Sequence, residues 1–242
     1  MDNSPADRDK PYGTLYHSSV RHQYALKLWL REFFSTWKQP GAFARTIDGL
    51  PQGARVLDAG CGQGTLLAEL AKYRPDLKLT GIDMAPAGEA KGFVLLSGDI
   101  LHMPFPDGEF DLVFSRQVIE HIADNTGVIR EFARVIRPGG ILYVDCPDVR
   151  NTMAWSPMSF WEDPTHLRPY TRRGLQRLFL LSGLQPKTAG RIRDWRLVLL
   201  GVFYLPIAWL NRDPFFVRHW LANICGVFIF GIAVKPAGPK IP

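Results

Sequence analysis

Asp58 stands just ahead of three glycines at alternate positions, Gly60, Gly62 and Gly64, in the stretch Arg55-Val-Leu-Asp-Ala-Gly-Cys-Gly-Gln-Gly. Glycine lets a backbone take otherwise strained angles and approach a ligand with no Cβ in the way. Thr65 to Tyr73 follows as an apolar-periodic run that reads as a helix ended by Pro75. Its N-terminus aims amide groups and the positive end of its dipole at whatever the turn holds. A dinucleotide site asks for Gly-x-Gly-x-x-Gly, with the third glycine packing helix on strand. Here that glycine comes one residue early and Thr65 takes its place. The carboxylate of Asp58 would repel a pyrophosphate and suits a ligand carrying an ammonium and a sulfonium.

The elements that position these residues follow from the hydrophobic pattern. Strands are expected at 55–58, 78–82, 93–97, 110–114 and 141–145, and helices at 65–73 and 125–136, with a barely helical connection at 85–92. Val94-Leu-Leu96 and Leu112-Val-Phe114 are continuously apolar, as in a parallel sheet covered on both faces. Pro138-Gly139-Gly140 reads as a turn between helix and strand. Thr171 caps a helix from Arg172 to Ser182, Gly183 ends it, and a strand is expected at 184–188. Ahead of all this, 43–50 reads as a short helix.

The remainder divides by composition. Residues 1–14 are polar and breaker-rich, a disordered N-terminus; 15–50 carries aromatic-rich helices whose rings suit packing on the sheet; 51–190 is the core. Residues 191–224 form an apolar, basic insertion, and 225–242 holds the last strand and a tail. The net charge of +6 lies entirely in 186–242, where eight Lys/Arg face Asp194 and Asp213; residues 1–185 balance at 21 of each sign. Such an excess points to a partner of that segment. The three cysteines show no metal-ligand spacing and read as free thiols, and the N-terminus shows no secretory signal. A cytoplasmic protein is expected.

Val56-Leu-Asp-Ala-Gly-Cys-Gly-Gln-Gly64 resembles the first motif of class I S-adenosylmethionine (SAM)-dependent methyltransferases. The resemblance continues in family order through Thr80-Gly-Ile-Asp83, Ser97-Gly-Asp-Ile100, Met103 to Phe114, Gln117-Val-Ile-Glu-His-Ile122 and Phe132 to Val144. It is dense over residues 50–148. It implies a Rossmann-like α/β fold: a seven-stranded, mostly parallel sheet with an antiparallel last strand (Val227 to Lys235) and helices on both faces. It also implies SAM as cofactor, with S-adenosylhomocysteine as product, and a lid over the cofactor from the helices of 15–50. By motif match, Asp58 orients the methionine ammonium, and Gly60, Gly62 and Gly64 give the close approach. Asp83 takes both ribose hydroxyls, Met84 flanks the adenine, Asp99 and Ile100 take its edge, and Ser115 lies at the methionine end.

The acceptor side rests on other residues. Removing a hydroxyl proton calls for a base with a pKa near ambient, which singles out His121 after the fourth strand and His166 after the fifth. Asp145 and Asp148 stand where they could orient a histidine or bind the acceptor. Each histidine equally suits a structural role. Asp163 and His166 have a spacing that would admit a divalent metal, but no further ligands are evident, so no metal is expected. Asp163-Pro-Thr-His-Leu-Arg-Pro-Tyr-Thr171 resembles a segment of methyltransferases encoded with polysaccharide and lipid-glycan assembly enzymes.

Leu197 to Leu210 and Trp220 to Val234 are uncharged runs, each too short to span a bilayer; Arg191, Arg193, Arg196, Arg212 and Arg218 flank them, beside the aromatics Trp195, Tyr204, Trp209 and Trp220. That combination suits a helix in an anionic membrane interface, peripheral on the inner face, and equally a pocket lid or dimer face. The oligomeric state stays open. The expected function is methyl transfer to an oxygen of a lipid-linked glycan, sugar or lipid. A soluble quinone-like or secondary-metabolite acceptor is the alternative, and an idle SAM-binding protein a third. No Asn/Asp-Pro-Pro-Tyr-like motif follows the fourth strand, which argues against nucleic acid.

Overall fold

The computed structural model describes residues 41–86, 91–153, 159–193 and 224–237, with scattered positions between 199 and 221. The expected N-terminal disorder, the 15–50 lid helices as far as residue 40 and most of the insertion lie outside the described residues.

Helix α1 (Ala42–Asp48) leads to β1 (Arg55–Ala59), α2 (Thr65–Tyr73), β2 (Lys78–Asp83), β3 (Val94–Ser97) and β4 (Phe110–Arg116). Then come α3 (Asn125–Val135), β5 (Ile136–Pro147), α4 (Arg172–Leu181), β6 (Gln185–Arg191) and β7 (Phe228–Val234). The seven strands lie in the order β3-β2-β1-β4-β5-β7-β6. β7 pairs antiparallel with both β5 and β6, whereas β1 to β5 pair parallel. The expected sheet is therefore the observed one. Its strand order reverses beside β1, where β2 and β4 flank it, and an open α/β sheet offers its ligand crevice at such a point.

Both faces are covered. Leu142 and Val144 of β5 join a buried cluster with Phe132 of α3 and Phe179 of α4. The alternate residue Tyr143 faces the other way, where Phe43 of α1 meets its ring at 4.9 Å and that of Phe114 at 5.1 Å. α2 packs close on β2: a Cβ at Gly81 would stand 2.6 Å from Leu67 Cδ1, 2.8 Å from Cys61 Sγ and 2.9 Å from Leu95 Cδ2. The strand glycine is thus what lets helix, glycine turn and neighbouring strand close together.

The local signals place the helices well. Asp124 accepts from Gly127 N at the start of α3, and Thr171 accepts from Gly174 N at the start of α4. The Pro138-Gly139-Gly140 turn is corrected to a bulge inside β5. Pairing moves from Phe110↔Ile136 to Leu112↔Ile141, so the extra residues bow out of the ladder. Arg137 Nε binds Asp111 across it at 2.6 Å, and Gly139 takes φ 78°. Between 85 and 92 none of the described residues is helical. The described positions in the insertion, Leu199, Val202, Pro206, Val217, Trp220, Leu221, Ile224 and Cys225, are helical. Among the described residues no helix is long and apolar enough to cross a membrane.

Gly81→Ala is expected to destabilise the fold by about 1–3 kcal/mol through overpacking, read as a lower urea midpoint. An unchanged midpoint would mean that α2 and the glycine turn have slack the packing does not show.

Candidate active site

The carboxyl ends of the strands gather the residues picked out by their chemistry. Asp58 closes β1 one residue before its end, Asp83 ends β2, Asp99 follows β3, Ser115 lies near the end of β4, and Asp145 lies near the end of β5. Parallel pairing sets them side by side, because strands of one direction end on one edge.

The glycine turn is shaped by its neighbours. Gly60, Gly62 and Gly64 all take positive φ, at 87°, 51° and 70°. A Cβ at Gly60 would fall 2.4 Å from Val118 Cγ2, whereas one at Gly62 would meet nothing within 4 Å. Gly60 is therefore glycine for packing, and Gly62 faces open space among the described residues. Ile82 O accepts from the amides of Gly60 and Cys61 at 2.8 and 3.1 Å. Asp83 Oδ2 accepts from Gly62 N at 2.8 Å, and its Oδ1 from Ala85 N at 3.2 Å. A carboxylate has about four lone-pair positions, so each oxygen keeps one for a ribose hydroxyl.

Around it, Met84 is 73% exposed, and its carbonyl accepts from Ser97 Oγ at 3.0 Å. Asp99 Oδ1 accepts from Leu101 N at 2.8 Å, and this backbone bond, with His102 beside it, holds the carboxyl below the usual range. Ile100 is buried. The Ser115 hydroxyl is buried and donates to Ala59 O at 2.8 Å, tying β4 to β1. Only its backbone is then left for a ligand.

Asp58 is buried, and burial pushes its carboxyl from 3.8 up to about 8, against the opposing charge of Arg116. Arg116 is a residue that motif reading passed over. Its Nε binds Asp145 Oδ2 at 2.6 Å, and its guanidinium lies 5.2 Å from the Phe43 ring centroid. Asp145 also accepts from Gln117 Nε2 at 2.9 Å. Gln117 carries φ 55°, the positive φ that a non-glycine residue rarely takes, where the chain turns sharply out of β4. Asp145 is thus built into an ion pair and a turn.

The two histidines meet although 45 residues separate them. Their ring centroids lie 4.7 Å apart, and Phe160 stacks on His166 at 4.5 Å. Asp163 Oδ1 accepts from both the amide and the hydroxyl of Thr165, at 2.8 and 2.6 Å, folding Asp163-Pro-Thr-His into a tight loop. Leu167 N donates to Glu120 O at 2.8 Å and pins that loop to the turn after β4. Since Thr165 gives its single proton to Asp163, its oxygen must accept from His121 Nδ1, 2.7 Å away. His166 Nδ1 donates to Phe160 O at 2.7 Å. Both imidazoles therefore carry a proton on Nδ1, so in the neutral form of either the lone pair is on Nε2. Burial and the neighbouring His166 lower the pKa of His121. Glu120 beside them is fully buried, and burial pushes it to about 8.

The family model described as a methyltransferase domain matches residues 21–188. The 2-methyl-6-phytyl-1,4-hydroquinone methyltransferase of Synechocystis sp. is 35% identical over 127 residues, covering 49% of this chain and 39% of that enzyme. An uncharacterised methyltransferase of Schizosaccharomyces pombe is 32% identical over 205 residues, 77% of this chain and 68% of the other. The chain thus spans well under half of the first of these relatives and about two thirds of the second. In fold, phosphoethanolamine N-methyltransferase 2 of Haemonchus contortus with bound SAM superposes with a TM-score of 0.63 at 19% identity, over 89% of this chain and 58% of that one. The open space at Gly62 and the lone pairs left on Asp83 fit such a cofactor. The chain belongs to the class I SAM-dependent methyltransferases.

Proposed function

We propose that this methyltransferase acts on an oxygen of a lipid-linked glycan, sugar or lipid acceptor at an anionic membrane surface. When bound, SAM supplies a methyl group on a sulfonium sulfur. The chain's own residues do the rest. Asp83 holds the ribose end, Asp99 and Ile100 the adenine edge, and Met84 covers the base. Asp58 receives the ammonium. The His121–His166 pair faces the acceptor and activates its hydroxyl, each free imidazole able to take the proton at Nε2. Positioning and exclusion of water supply much of the remaining acceleration.

The observation that supports the membrane part is a set of exposed apolar residues among the described positions of the insertion. Leu199 and Val202, one helical turn apart, are 66% and 59% exposed, and Leu221 and Ile224 repeat the spacing. Arginines gather at its base. Arg150 Nη2 donates to Gly226 O, and a Cβ at Gly226 would run into Arg193 Nε and Arg191 Cδ. Burial and the charges of Arg150, Arg172 and Arg193 hold Arg191 below its ordinary value, a cluster that an anionic headgroup would relieve. A soluble quinone-like acceptor is the second reading, favoured by the name of the Synechocystis relative.

Incubation of labelled SAM with membrane and soluble extracts separates the two: label in a polar lipid-linked product is expected, and label confined to a soluble product would overturn the membrane reading. The chain should also sediment with phosphatidylglycerol vesicles at low salt and release at high salt, with Leu199→Asp/Val202→Asp weakening the binding. Equal binding by the variant would remove the insertion from the interface.

Two substitutions divide the roles. Asp83→Ala is expected to abolish SAM binding in calorimetry. His166→Ala should keep SAM affinity and slow transfer by roughly 10²–10⁴-fold. Full activity in His166→Ala would remove it from the acceptor side.

Asp58 gives a proton-linked test. An unfolded aspartate ionises near 3.8 and the folded one near 8, so folding takes up a proton between those values, and apo stability falls as pH climbs through them. An arriving ammonium reverses the preference. Calorimetry at pH 7 in buffers of different ionisation enthalpy should show close to one more proton released per SAM by the native chain than by Asp58→Asn. Equal release would place the ammonium elsewhere.

A further inference from the structure

Glu120 is the group that methyl transfer as described leaves unused. It is wholly buried, and among the described residues neither carboxyl oxygen has a hydrogen-bond partner. A buried carboxyl in that state is unfavourable unless something else satisfies it. One of its oxygens and one ring nitrogen from each of His121 and His166 lie within 4.8 Å of one another.

We propose that Glu120, His121 and His166 form a binding site for a divalent transition-metal ion, with open positions for an oxygen of the acceptor. Ligand atoms about 2.1 Å from an ion stand at most roughly 4.2 Å apart, so the set closes on one by a small contraction. The Nδ1–H groups of both histidines are already occupied, His166 on the Phe160 carbonyl and His121 on Thr165, which leans on Asp163. Such outer bonds fix a metal-ligating imidazole and leave its other nitrogen for the ion. Two imidazoles with one carboxylate suit zinc, manganese, iron or cobalt better than the all-oxygen sites of magnesium or calcium. The backbone holds the three in place: Leu167 N bonds Glu120 O, and Tyr170 Oη donates to Ile119 O at 3.1 Å.

The sequence shows why the site is hidden. Glu120 and His121 are neighbours, but the third ligand comes from a loop on the next strand, and Asp163, which has the spacing of a ligand, serves behind His121 instead. The role of the ion rests on the acceptor reading above, while the binding stands without it. With the ion in place the Nε2 lone pairs are committed to it, so activation passes from proton acceptance by histidine to polarisation: the coordinated hydroxyl, its pKa lowered by the ion, gives its proton to solvent water as its oxygen takes the methyl group.

The test is Co²⁺ titration of the full chain after dialysis against a chelator, read by visible absorption and by calorimetry. One equivalent is expected, with the spectrum of a site containing nitrogen ligands. Glu120→Gln and His166→Ala should weaken binding by more than about 100-fold, Thr165→Val by about 10- to 100-fold, and His102→Ala should leave it unchanged. SAM affinity and the thermal midpoint of Glu120→Gln report that the fold persists. Absence of stoichiometric binding, or binding that survives both ligand substitutions, overturns the site. Full transfer by metal-free chain, with His166→Ala still slow, overturns the ion's role while leaving the histidine base intact.

Discussion

The bond from Gly62 N to Asp83 Oδ2, 2.8 Å long, joins the turn after one strand to the tip of the next. Without it the Gly62 amide would need another partner, and the turn would rest on the bonds of Gly60 and Cys61 to Ile82 O and of Gly64 to Cys61 O. With it, the carboxylate proposed to meet the ribose also shapes the glycine turn. The sheet supports that bond from both sides. Parallel pairing brings Asp58 opposite Gly81, and the missing Cβ of Gly81 lets Leu67, Cys61 and Leu95 close behind the turn.

A line of charge runs from this turn towards the acceptor side. Asp58, Arg116 and Asp145 interact in sequence, and Asp145 in turn raises the pKa of Glu120. One guanidinium serves two buried carboxyls, so one of them is better off protonated until a cation arrives. A cation arriving beside Asp58 would supply the partner it lacks, which is the basis for proposing that the cofactor's ammonium sits there.

Much of this was readable from the chain. The glycines, the periodic run from Thr65 to Tyr73, the caps Asp124 and Thr171 and the continuously apolar strands are local signals, and the structure follows them. Pro138-Gly139-Gly140 misleads because turn residues also serve a bulge, and only pairing with β4 distinguishes the two. Arg116 was not legible: its meaning lies in register with Asp145 across a strand pair. The meeting of His121 and His166 depends on β4 and β5 being adjacent and on a loop folded by Asp163 and Thr165. Spacing along the chain carries no trace of that proximity.

The central claim is that carboxylates at the tips of β1 and β2 hold a cationic nucleoside against the glycine turn. A crystal structure of the chain with S-adenosylhomocysteine tests it most directly. The account places both ribose hydroxyls on Asp83, the amino group beside Asp58 and the backbone of the ligand over Gly62. A ligand whose ribose lies away from Asp83, or a phosphate-bearing molecule seated on the turn in its place, would contradict it.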